Sequence, residues 1–546
     1  MAAGFGPAFP ASFSAALAAL ALLVGGCARP GSRADLVIIN GPEPESLDPH
    51  LLTGQADGRV ALALFEGLTR YDPRTGQAAP GLASHWELSA DKRIYTFHLR
   101  TNAVWSTGEP ITAEDFAWSW RRALDPATAS EYAGVLFYLK NGEAFATGKL
   151  RDFSQVGVRA VDRLTLRVEL EEPTAFFLEL CGFQPYAAVP RRRIEQHGDR
   201  WLHARPFMAS GAYVLDTWRL NDRIRLRRNP RYWDAANTQS AVIDLLPCVV
   251  PSTALNLYLT RAVDIVWDKE LVPPDVLDVL LQRPDFHVYD YLGTYFYRYN
   301  VTKGAFKDAR VRKALALAID KRRIVERITK GGEKVAACIS PPGILNGTIP
   351  YRPPAGLDHR PDEARRLLAE AGFPEGRGFP PFQYTFNNVE SHKKIAVELR
   401  EMWQRELGLQ VELRQLEWKT YLRAQAQLEY DLIRSSWIGD YNDPNTFLDL
   451  FMSENPNNRT GWRSARYDET LRRANAEAEP AMRQTLLQAA ERILVEEDAP
   501  IVPLYFYVSI EYYDTNAVTG IHQNIRVEHP LRAIGRLASG GRPAHR

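Results

Sequence analysis

The chain has 546 residues and carries 67 Lys plus Arg against 66 Asp plus Glu, a net charge of +1. So even a balance argues against a general nucleic-acid binder, and a composition of 45% hydrophobic and 24% charged residues excludes a disordered or fibrous chain. The length corresponds to roughly two to four domains, and four cysteines are too few for a disulfide scaffold.

Residues 1–28 contain no charged side chain, and Phe13–Val24 is a short Ala/Leu-rich run. A bilayer span needs about 20 apolar residues, so this run reads as the apolar core of an export signal. The α-amino group is the only positive charge ahead of it. Leu23-Val24-Gly25-Gly26-Cys27 follows at once and resembles a bacterial lipobox. The segment 1–27 is therefore expected to be a lipoprotein signal peptide with the lipid on Cys27; the alternative is a cysteine placed there by chance. No later stretch reaches membrane-spanning length, so the mature chain is expected outside the cytoplasm, soluble but for its lipid. Cys181, Cys248 and Cys338 can form at most one disulfide. Their spacing has no metal-site pattern, and their apolar neighbours suggest buried, inert thiols.

Short strands dominate the first half. Tyr95, Phe97 and Leu99 alternate with polar residues, as do Leu164, Leu166, Val168 and Leu170, and again Ile224 and Leu226. Between them, Thr112 with Asp115 three residues on marks the start of a helix. The second half alternates helix and strand. Asp308 is expected to cap a helix bearing Val311, Leu315, Ala318 and Ile319 that closes at Gly331-Gly332. Phe382–Phe386, a stripe through Ile395, Leu399, Met402, Trp403 and Leu407, and then Leu409, Val411 and Leu413 form a βαβ unit with a parallel pair. The Pro-rich stretches 341–354 and 373–381 are loops, and the tail 539–546 reads as disordered.

Catalytic motifs are missing: the sequence holds no G-x-S-x-G, H-E-x-x-H, Walker A or C-x-x-C pattern. No two histidines fall at helical ligand spacing, so no metal or cofactor site is expected. A glycosidase-like carboxylate pair is not excluded by sequence alone.

Several strings in order carry a resemblance that spans most of the chain. They include Asn40-Gly-Pro-Glu-Pro-Glu-Ser-Leu-Asp-Pro-His50, Leu64-Phe-Glu-Gly-Leu68, Tyr95-Thr-Phe-His-Leu-Arg100 and Asn229-Pro-Arg-Tyr-Trp-Asp234. Asp308-Ala-Arg-Val-Arg-Lys-Ala-Leu315, Gln415-Leu-Glu-Trp-Lys419 and Trp437-Ile-Gly-Asp-Tyr-Asn-Asp-Pro444 complete the set. Together they resemble the oligopeptide-binding lipoproteins of bacterial ABC transporters, solute-binding protein family 5. The resemblance implies an α/β periplasmic binding protein of type II, with two hinged lobes and an extra inserted domain. Lobe I would comprise 28–65, 190–292 and 508–538, the inserted domain 66–189, and lobe II 293–507. The split near Tyr289–Leu292 agrees with the change from β-rich to α/β pattern.

The resemblance also implies site residues. Asp440 would grip a peptide α-ammonium, a role that suits an acceptor-only carboxylate; the alternative is a cap for the turn that follows it. Arg434 would meet peptide backbone or carboxylate, with a surface ion pair as the alternative. Trp418 and Trp437 would wall side-chain pockets rather than pack in the core. His392 would lie near the ligand's C-terminal end, Tyr132 and Tyr291 would line the cleft, and Thr53, Gly54 and Gln55 would offer backbone groups to an added strand. A second basic residue of the family falls on Gln425 here. The implied function is capture of short peptides and delivery to an ABC transporter permease and ATPase complex, by a monomer without cofactor or catalysis. Another solute (dipeptide, murein peptide, nickel or oligosaccharide) and a signalling or cell-wall role remain open.

Overall fold

Val37 apart, every residue of the strand Leu36–Ile39 is fully buried. An apolar run closed to water on both faces suits a parallel strand inside an α/β layer. It pairs in parallel with Val242–Leu246 on one side and Ile265–Trp267 on the other. A computed structural model describes residues 33–267 and 269–537 of the chain. The segment 1–27 expected to be a signal peptide, with Cys27, and the tail 539–546 expected to be disordered lie outside the described residues.

The strands join into one eleven-stranded mixed sheet. Antiparallel strands Tyr213–Arg219 and Arg223–Arg228 form one edge, followed by the parallel group around Leu36–Ile39. At the other edge lie Val411–Leu416, Phe382–Asn387 and Leu432–Ile438. The helix Glu390–Leu407 connects Phe382–Asn387 to Val411–Leu416, which run parallel in unbroken register. Its last turn closes at Gly408 with φ +70°, a left-handed conformation that costs glycine little.

Two long strands tie these groups together. Phe286–Tyr299 and Ile501–Tyr513 run antiparallel, and their register breaks between Asp290 and Thr294. Tyr291, Leu292 and Gly293 occupy that break. A Cβ on Gly293 would stand 2.5 Å from Ile438 Cδ1, so no larger side chain fits there unless the neighbour moves. Each half of the sheet has its own apolar packing. Leu36, Ile38 and Leu226 face one cluster and Ile39, Val266 and Tyr512 another, while Tyr295, Leu399 and Trp403 face a third and Phe296, Phe447 and Leu494 a fourth. At about 1.5–3 kcal/mol per buried large apolar side chain, these separate clusters account for much of the stability of each half.

A second sheet of four strands, Ala83–Leu88, Ile94–Leu99, Thr165–Glu169 and Val158–Ala160, lies within the region 66–189. The helix Ala113–Leu124 packs on it and starts with the reciprocal capping box of Thr112 and Asp115. Elsewhere the structure departs from expectation. Asp308 does cap a helix, but that helix ends at Leu317. Asp320 caps a second one at Lys321, and Gly331-Gly332 follow this second helix rather than the first. The break buries the Lys321 ammonium against the carbonyls of Ala336 and Leu357. The three described cysteines are free, and Cys248 is half-buried rather than buried like Cys181 and Cys338. No helix among the described residues is long and apolar enough to cross a membrane.

Candidate functional site

The strand Leu432–Ile438 carries Arg434 and Trp437 and delivers the chain to Asp440. Almost everything around that aspartate is fixed by its neighbours. The Gly439 N–H donates to the Leu292 carbonyl, and the Asp440 N–H to Thr446 Oγ1. Tyr441 stacks on Phe176 at 3.9 Å, with its hydroxyl 3.2 Å from that of Tyr138. The Asn442 N–H donates to Glu179 Oε2. Asp443 is held by a bidentate, fully buried pair with Arg483, and its Oδ1 caps Asn445. Turn capping is therefore the work of Asp443. The Asp440 carboxylate has no hydrogen-bond or ion-pair partner among the described residues. It is recessed but reaches solvent, and desolvation pushes its pKa up to about 6 despite the attraction of Arg526.

Tyr132 and Tyr291 lie beside this carboxylate. Burial raises the Tyr132 phenol pKa, and the charges of Asp440 and Tyr291 add to that. Gln55 Nε2 hydrogen-bonds the Tyr291 hydroxyl. Thr53 is exposed, and the Gly54 carbonyl is already taken by the Gly58 N–H as the N-cap of Gln55–Leu64.

A second group of residues sits further back along the same strand. The Arg434 guanidinium lies 4.8 Å from the Tyr295 ring centre and donates Nη2 to the Tyr507 hydroxyl, while its Nε has no partner. No carboxylate pairs with it among the described residues, so it is not part of a surface ion pair; it is buried. His392 Nδ1 is 3.3 Å from the Tyr295 hydroxyl, which brings histidine and arginine to one tyrosine. Gln425 Nε2 donates to the Arg434 carbonyl and the Tyr421 hydroxyl. Trp418 is 50% exposed and stacked on Tyr421, so it is no core residue. Trp437 is partly buried, with its indole N–H unpaired.

The expected residues thus fall into two groups. Asp440, Tyr132, Tyr291 and Gln55 form one, and Arg434, His392, Trp418 and Gln425 the other, with Trp437 on the strand between them. Sequence reading missed Tyr295, Tyr505 and Tyr507, which surround Arg434. The available signal was an aromatic residue at every second position in both crossing strands, Tyr295-Phe-Tyr-Arg-Tyr299 and Tyr505-Phe-Tyr507.

Two half-sheets joined by a pair of crossing strands, an added domain, and unpaired groups of both signs near the junction define a type II periplasmic solute-binding protein. The chain belongs to the bacterial extracellular solute-binding proteins, family 5, whose middle region matches residues 77–459. It is 37% identical over 481 residues to the periplasmic oligopeptide-binding protein OppA of Salmonella typhimurium, covering 87% of each chain. The Haemophilus influenzae OppA complex with the peptide RPPGFSPFR superposes with a TM-score of 0.76 at 32% identity, over 93% of this chain and 99% of that one. The Escherichia coli murein tripeptide binding protein MppA gives a TM-score of 0.77 at 34% identity, over 93% and 99%.

Proposed function

We propose that this protein captures short peptides between its two lobes and hands them to an ABC transporter permease and ATPase complex for import. One observation carries the reading: a carboxylate without a cation and an arginine without an anion stand on one continuous segment, Arg434 to Asp440. At about 3.3 Å per residue the segment spans at most about 20 Å, the scale of an extended peptide of a few residues. An α-ammonium at Asp440 and a carboxylate toward Arg434 and His392 would satisfy both groups. Trp418, Trp437, Tyr132, Tyr291 and the Thr53-Gly54-Gln55 turn would border the side chains, where water-filled space accommodates many shapes. The similarity to peptide-binding relatives supports this over a sugar or metal ligand.

In this reading lobe I comprises 28–65, 190–292 and 508–538, the inserted domain 66–189, and lobe II 293–507, with the hinge at the register break near Tyr291. Cys27 carries the lipid that holds a monomeric receptor at the membrane. Mass spectrometry of ligand released from protein purified from its native host tests the reading. Short peptides with free termini are expected; a sugar, a metal or blocked peptides would overturn it. Lipid on an N-terminal Cys27 in the same material is expected, and an unmodified N-terminus elsewhere would refute the anchor.

A further inference from the structure

Four arginines are buried among the described residues: Arg298, Arg312, Arg434 and Arg483. A guanidinium keeps its proton when buried, so each needs acceptors inside the protein. Arg483 has the Asp443 carboxylate. Arg312 donates to four carbonyls, those of Phe306, Lys307, Asp498 and Ala499. Arg434 is the group matched above to the peptide carboxylate. Arg298 is left with one hydroxyl and one carbonyl. Its Nε donates to Ser435 Oγ at 3.0 Å and its Nη1 to the Asn457 carbonyl at 2.5 Å. Otherwise it packs against rings, 5.3 and 5.5 Å from the centres of Phe296 and Phe451. No carboxylate pairs with it among the described residues; the charged neighbours that act on it are the phenols of Tyr421 and Tyr430 and a second guanidinium, Arg459. Arg459 is half-buried, has no carboxylate partner either, and donates Nη1 to Gln425 Oε1 at 3.3 Å. Arg459 thus brings a cation to Gln425, where the resemblance places a basic side chain. Gln425 in turn bonds Tyr421, on which Trp418 stacks. On the adjoining strand Ser435 pairs with Phe296 and Trp437 with Thr294, so by alternation Ser435, Trp437 and Arg298 share one face of the sheet. The Trp437 indole N–H has no acceptor. The stretch between Trp418 and Trp437 therefore holds two cations without an acid and an N–H without a partner, and all three groups are donors only.

We propose that this stretch selects peptides carrying an acidic side chain, whose carboxylate meets Arg459 and the Trp437 N–H while Arg298 supplies positive charge from behind. The proposal rests on the peptide reading given above and adds a side-chain class to it. A buried charge without a partner is costly to keep, and a ligand carboxylate would remove that cost in the complex alone, so the gain appears in binding rather than in folding. Burial lowers the Arg298 pKa only to about 10, so the charge is present at neutral pH. Water-filled space still admits a neutral side chain, which leaves both guanidiniums as they stand in the empty protein. A lysine side chain adds a third cation and is selected against. Shape is tolerated here, and charge is read.

Calorimetry on tri-alanine and its analogues with Glu, Gln or Lys at the second or third residue tests this. At one of these positions Glu should bind about tenfold or more tighter than Gln, and Lys more weakly than Gln. Arg459→Gln should cut the Glu-over-Gln ratio, and Arg298→Met, which replaces the buried cation by an apolar chain, should cut it as well. The ratio is taken within each variant, so a general loss of affinity does not enter it. Equal affinities for Glu and Gln at both positions of the wild type would overturn the inference alone. So would an unchanged ratio in Arg459→Gln, which decides the matter even if Arg298→Met does not fold. Failure of tri-alanine and all its analogues to bind would overturn the receptor reading along with it.

Discussion

Replacing Asp440 with asparagine removes one charge and almost no volume. The backbone N–H to Thr446 Oγ1 survives, as do the Tyr441 stack and the Asp443–Arg483 clamp, because none of them uses the carboxylate. Burial raises its pKa to about 6, so the carboxylate is still the prevailing form at pH 7. Removing one partner of a desolvated charge pair costs about 2–5 kcal/mol, so affinity for a free peptide should fall about 30-fold or more. N-acetylation of the peptide removes the other partner and should cost a similar amount. Calorimetry on the four combinations of wild type or Asp440→Asn with free or acetylated peptide forms a double-mutant cycle. Equal single losses that do not accumulate show one shared interaction. Losses that simply add would refute the reasoning and place the amine elsewhere. The variant should also melt no lower than the wild type, since an unpaired, desolvated carboxylate is not stabilising; a lower melting point would mean a structural role.

Arg434→Gln should weaken peptides with a free C-terminal carboxylate by about tenfold or more while leaving C-terminal amides nearly unchanged, as titration calorimetry would show. Arg483→Leu leaves Asp443 buried without its cation and should cost about 3–5 kcal/mol in urea unfolding. Glu491 is fully buried and accepts the N–H groups of Ile339 and Ser340 and the Tyr351 hydroxyl, and burial raises its pKa from 4.5 to about 7. The unfolded chain ionises near 4.5 and the folded one only near 7, so stability should fall as pH rises through that window and level off above it. Glu491→Gln should flatten that slope in thermal midpoints measured from about pH 4.5 to 8. Saturating peptide should lower the radius of gyration in small-angle scattering; an unchanged value would count against hinge closure.

Local pattern served the sequence reading well where one physical signal dominates. Burial alternates in Ile94–Leu99 as the polar residues between Tyr95, Phe97 and Leu99 require, and Thr112 with Asp115 forms a complete capping box. It failed where two local signals competed. The apolar stripe runs through Ala318 and Ile319, yet Asp320 can cap its own helix, and the buried Lys321 fixes the new start through two distant carbonyls. No neighbour in sequence announces those carbonyls. At the site, residue roles came from resemblance, whereas charge compensation is a property of three-dimensional neighbours. The Asp443 that lies three residues from Asp440 finds its cation forty residues away in Arg483, and Asp440 finds none.

The stack of Tyr441 on Phe176 has a consequence for the order in which a ligand would be taken up. It fastens the Asp440 turn to the region 66–189, although that turn follows directly from a strand in the other half of the molecule. The groups around Arg434, by contrast, all lie between residues 293 and 507, where Tyr295, Tyr507 and His392 meet one another. In the proposed division into lobes, the carboxylate end would then already be assembled in the open protein, and the amine end, which needs Tyr132, Tyr291 and Gln55 from across the junction, would be completed by closure. A peptide would be caught by its carboxylate first and tested at its amino terminus afterwards. Ligands that differ at the carboxylate would differ in how fast they are recognised, and ligands that differ at the amine in how long they stay.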